Sequence, residues 1–123
     1  MARRRISTEK GRAAVLHWQD GGSDRPTLAT AVRYLLEELA EVAPGNSVEV
    51  RVPPFGVTQC VAGPSHSRGT PPNVVELAPQ TWLELATGAT SWGEAVAAAQ
   101  VAASGTRADL SELLPLISPG ARR

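Results

Sequence analysis

The sequence predicts an α+β domain, and three observations carry that reading. Apolar residues recur at helical spacing as far as residue 42. Between residues 47 and 77 the period drops to two. Helical spacing then returns in the last third. Helical stripes around a block of half-buried strands describe helices packed on a sheet.

The helices come first. From about Ser7 to Gln19 the pattern is helical, with Ala13, Ala14, Leu16 and Trp18 as its apolar content. Asp20-Gly21-Gly22-Ser23-Asp24 breaks it. A second helix starts near Pro26, since proline suits the first helical turn. Leu28, Val32, Leu35, Leu36 and Leu39 form its apolar stripe, and Glu37, Glu38 and Glu41 mark its wet face. Pro44-Gly45-Asn46 ends it.

The strands follow. Ser47-Val48-Glu49-Val50-Arg51-Val52 alternates strictly, which sets valines on one face and charges on the other. Pro53-Pro54-Phe55-Gly56 interrupts, and Val57 to Ala62 reads as a second strand, antiparallel to the first. Gly63 to Asn73 is a polar loop, and Val74-Val75-Glu76-Leu77 is a third strand. The sheet expected is antiparallel, of about four to five strands, under a single layer of helices.

In the last third Pro79 opens a short helix carrying Trp82, Leu83 and Leu85, which Gly88 closes. Ser91-Trp92-Gly93-Glu94 has the spacing of a capping box ahead of Ala95, Val96 and Ala99. Val101 to Ser104 reads as the last strand. Thr106 and Asp109 are placed to cap a final helix of Leu110, Leu113 and Leu114 that Pro115 stops. The expected organisation is one domain over 1–117, with a flexible basic start at 1–6 and a disordered tail at 118–123.

Composition narrows the function classes. The chain has 123 residues, 42% of them hydrophobic, which supports one real core without disulfides. Aromatics are only 4%, so Val, Leu and Ala must wall any cavity. The formal net charge is zero, and Lys10 is the sole lysine. Such a chain has no overall field to gather nucleic acid. No apolar run is long enough for stable membrane insertion. The Arg3-Arg4-Arg5 run is followed by no apolar stretch of signal-peptide type and lacks stacking aromatics, so it reads as a solvated start. A lone cysteine, Cys60, suits a reducing cytoplasm.

No catalytic constellation stands out. The segment 63–70 has the look of a phosphate loop, but the glycine spacing is wrong, Arg68 replaces the lysine, and a strand follows. It reads as a β-connection, with a weak anion site at His66 and Arg68 as the sharper alternative. Cys60 and His66 are too few for a zinc site. Ser65 and Ser67 flank His66 in extended chain and point away from it, and no nucleophile elbow is present. No cofactor is implied.

From Ser47 onward the order of motifs resembles a known family. Val57-Thr58-Gln59-Cys60 leads to Pro72-Asn73-Val74-Val75-Glu76-Leu77, then Thr81 to Gly88, Ser91-Trp92-Gly93-Glu94-Ala95, and Val101 to Leu110. This resembles the closing half of sterol-carrier-type domains. The likeness extends to Tyr34-Leu35-Leu36-Glu37-Glu38-Leu39-Ala40 and Gly45 to Gly56, and is nearest to actinobacterial members of the sterol carrier family. The resemblance implies helices over a sheet, with an apolar tunnel between them for a fatty acid or other lipid, and no catalysis.

The pocket candidates are then the largest apolar stripes: Leu28, Val32, Leu35, Leu36 and Leu39; Val48, Val50 and Val52; Trp82; and Leu110, Leu113 and Leu114. An open pocket is costly. Ligand pockets start at roughly 300 Å³, and an empty cavity costs on the order of 24 cal/mol per Å³, so about 7 kcal/mol. That rivals the whole stability of a small domain, roughly 5–15 kcal/mol, so the empty protein is expected to be collapsed. The alternative reading is an accessory or protein-interaction module without lipid cargo. Gly105-Thr106-Arg107-Ala108-Asp109-Leu110 is similar to the ends of mycothiol-dependent isomerases, whose C-terminal halves are such modules.

Overall fold

A computed structural model describes residues 5–63 and 73–117. Its elements are α1 (Thr8–Gln19), α2 (Arg25–Val42), β1 (Val48–Val52), β2 (Gly56–Cys60), β3 (Asn73–Leu77), α3 (Pro79–Thr87), α4 (Trp92–Ala97) and β4 (Val101–Ser104). The fold is α+β, as expected.

The helix boundaries follow local chemistry. Ser7 caps α1 by accepting from the Lys10 amide. Asp24 caps α2 through the amide and hydroxyl of Thr27. Gly88 ends α3 at φ 83°, the left-handed conformation that glycine adopts without strain. The Ser91–Glu94 capping box is formed in both directions, Ser91 Oγ accepting from Glu94 N and Glu94 Oε1 from Ser91 N.

The sheet order is β2-β1-β3-β4. β2 and β4 pair antiparallel with their neighbours, but β1 and β3 are parallel, so the sheet is mixed where an antiparallel one was expected. The reason lies in where the chain turns. β2 ends at Cys60 opposite Val48, and β3 starts at Asn73 opposite the same Val48 on the other side. The end of β2 and the start of β3 thus lie at the same end of the sheet, on either side of β1. β3 therefore runs opposite to β2, and so along β1.

One face of the sheet carries Val48, Val50, Val52, Cys60, Val75 and Leu77, all buried. Against them pack Val32, Leu35, Leu36 and Leu39 of α2 and Trp82, Leu83 and Leu85 of α3 in a single core. Trp82 is fully buried and its Nε1 donates to the carbonyl of Val32 at 3.3 Å, so the largest side chain also ties α3 to α2. α1 lies on α2 and adds Val15 to the core.

The final helix is a correction. Residues 108–117 form no regular helix, with a turn only at 111–113. Leu113 N and Leu114 N both donate to the Leu110 carbonyl, and Asp109 Oδ1 accepts from Ser111 N. That is one turn of chain, and Pro115 lacks the amide to extend it. Leu116 N and Ile117 N instead share the Ala86 carbonyl, which lays the segment against α3.

Candidate functional site

The polar frame at one end of the sheet starts from Asn73. It is buried, yet its Nδ2 donates to the Ser47 carbonyl at 2.7 Å and its Oδ1 accepts from Arg107 N at 2.9 Å. A buried amide with both ends satisfied fixes what it touches. Here it joins the start of β1 to the C-terminal segment. Ser47 Oγ donates to the Val61 carbonyl at 2.8 Å, and Val61 N donates to Ala43 O at 2.7 Å. Val61 sits at φ 69°, an unfavourable conformation for a β-branched residue, held by these bonds.

Beside this frame lies a cleft of about 620 Å³. One wall is Ala43, Pro44, Val61 and Ala62, and the other is the C-terminal segment with Arg107, Asp109 and Leu113. Arg107 crosses over Gly63: a methyl on that glycine would lie 2.6 Å from Arg107 Nη1. The φ of Gly63 is 150°, so both space and conformation call for glycine there.

The sequence candidates fall into two groups. Val32, Leu35, Leu36, Leu39, Val48, Val50, Val52, Trp82 and Leu110 are buried members of one core cluster. Leu28, Leu113 and Leu114 are partly buried and pack against it. Leu113 belongs both to this packing and to the cleft wall. His66 and Arg68 lie outside the described residues. Arg107 and Asn73 were not singled out as site residues, because their roles arise from contacts 34 residues apart in sequence.

Among the described residues no group of three or more His, Cys, Asp and Glu is placed to hold a metal ion. Cys60 is buried on the core face, and burial pushes its thiol up to about 11, so it stays protonated at neutral pH. No helix of the described residues is long and apolar enough to cross a membrane.

A search of the curated proteins finds no match for the chain. The family described as bacterial SCP ortholog matches residues 24–116, from the cap of α2 to the C-terminal segment. That span holds the whole sheet, its helical cover from α2 onward and the cleft. The chain belongs to this family of bacterial sterol-carrier-protein orthologues.

Proposed function

We propose that the protein is a non-catalytic carrier for a single-chain lipid such as a fatty acid. The family supports a carrier-like role in general. The observation that carries the specific reading is Leu113, which lines the cleft and packs on the core. In this reading an acyl chain enters beside Leu113 and parts α2 from the valine face of β1. The C-terminal segment is the gate. It has no regular helix, and its backbone is tied down by the bond from Arg107 N to Asn73 and the pair at the Ala86 carbonyl. Opening this segment leaves the sheet ladder intact, and its cost is the exposure of Leu110 and the apolar residues packed beside it.

The packed core is the collapsed, ligand-free form, since an empty cavity of useful size would consume much of the stability. An entering acyl chain refills the opened space and returns about 0.8 kcal/mol per buried methylene. In this reading its carboxylate meets Arg107 at the cleft, whose wall also carries two acids, Asp109, engaged with Ser111 N, and Glu112.

The test is displacement of a fluorescent fatty acid beside a urea melt. Val50→Phe and Leu113→Trp are expected to abolish binding while the chain still folds, Val50→Phe at an overpacking cost of roughly 1–3 kcal/mol. Arg107→Ala should weaken a free fatty acid and leave its methyl ester unchanged. A parent protein that binds no probe, with both filling variants destabilised, would make these residues a solid core and end the carrier reading.

A further inference from the structure

β2 forms one side of the sheet, and no described strand pairs with its outer edge. The direction of its peptide groups follows from one bond. Ser47 N donates to Val61 O, one step beyond the Val48↔Cys60 pair. Bonded and non-bonded pairs alternate along an antiparallel ladder. The bonded pairs are then Glu49↔Gln59 and Arg51↔Val57, and the peptide groups of Gly56, Thr58 and Cys60 turn away from β1. The edge carries no lysine, proline or bulge, the usual devices that blunt one.

A second cleft, of about 710 Å³, follows this edge. Gly56, Val57 and Thr58 all line it. Consecutive strand residues face opposite sides, so a space that touches all three must run along the edge. The facing wall is α2, with Arg33, Leu36 and Ala40, and Arg5 also lines the cleft. Val57, on the opposite face of the strand from Gly56 and Thr58, is 59% exposed.

We propose that this cleft binds an extended acidic segment of a protein partner, which adds to β2 as a further strand and sets a carboxylate against Arg5 and Arg33. An unpaired edge beside a helix is the geometry of strand addition, in which backbone bonds give affinity and flanking pockets give specificity. The charge selects the partner. Arg33 is anchored by its Nε–H to the Phe55 carbonyl at 2.6 Å, which uses one of five guanidinium donors. The acid of this cleft, Glu37, accepts the backbone amides of Arg5 and Ile6, each at 3.2 Å, and its single negative charge leaves the two arginines in excess. A second copy of the chain fits less well. Its edge strands, Gly56–Cys60 and Val101–Ser104, carry no carboxylate to meet the arginines.

The test is a fluorescence anisotropy titration of the full chain with a labelled peptide alternating valine and aspartate, beside a valine–lysine control. The aspartate peptide is expected to bind saturably and more weakly as salt rises, and the control not to bind. Thr58→Pro removes an outward amide that no ladder bond uses, so the fold is kept. Arg5→Glu reverses an exposed charge. Each should weaken binding by about tenfold or more. If Thr58→Pro fails to fold, Arg5→Glu decides. No binding by the parent, equal binding of the two peptides, or binding unchanged in Arg5→Glu would overturn the proposal.

Discussion

Gly11→Ala should destabilise the protein, against the ordinary rule for helices. Alanine in a helix interior is favoured over glycine by about 0.8–1.0 kcal/mol. Gly11 stands inside α1, where a methyl would lie 2.1 Å from Tyr34 Cδ1 and 2.2 Å from Cγ. These distances are far inside van der Waals contact. Tyr34 is itself buried on α2, so its ring has no solvent to swing into. Overpacking of this kind costs roughly 1–3 kcal/mol. At 2.1 Å the clash belongs at the upper end of that range, so it outweighs the propensity gain and the expected net loss is about 2 kcal/mol. Gly93→Ala in α4 is the control, because its methyl would meet nothing within 4 Å. There the gain of up to about 0.5–1 kcal/mol should appear unopposed. Urea melts of both variants give the two signs directly. A Gly11→Ala protein as stable as the parent would refute the close packing of α1 on α2. The result also bears on domain extent, since α1 precedes the matched span 24–116. A single shifted transition means that α1 unfolds with the rest.

Ser91→Ala should cost about 0.5–2 kcal/mol in urea melts by unmaking the cap of α4, and a fully stable variant would contradict the box. Glu94 is held below the usual carboxylate range by the bonds it accepts from the Ser91 amide and then the Ser91 side chain. Its contribution is therefore present above the ordinary value of 4.5 and lost as pH falls through the lower folded value; an NMR titration that places Glu94 at or above the ordinary value would contradict this. Cys60 should resist a thiol reagent at pH 8 until urea unfolds the chain, and rapid reaction of the folded protein would contradict its burial. EDTA should leave the melting temperature unchanged, and a fall of several degrees would reveal a structural metal.

Much of the fold was legible because its signals are local. Ser7, Asp24, Gly88 and Ser91 each sit where a cap is needed and each forms one. The alternation from Val48 to Val52 marks a strand with one buried face. What the sequence hid is non-local. The parallel pairing of β1 and β3 depends on the end of the sheet at which β2 finishes. The spacing of Leu110, Leu113 and Leu114 fits a helix, but the carbonyl that takes up the amides of Leu116 and Ile117 belongs to Ala86 on α3. The site shows the same division. The apolar stripes were readable and are buried together. The clefts were not, because each joins segments distant in sequence, as Arg5 and Thr58 meet at one and Ala43 and Leu113 at the other.

The central claim is that this core opens to hold a lipid. Native mass spectrometry of gently purified protein tests it most directly, with a fatty acid added to a second aliquot. The account predicts a bound mass in the first spectrum, or a one-to-one adduct in the second that Leu113→Trp abolishes. An unliganded mass in both spectra would contradict it.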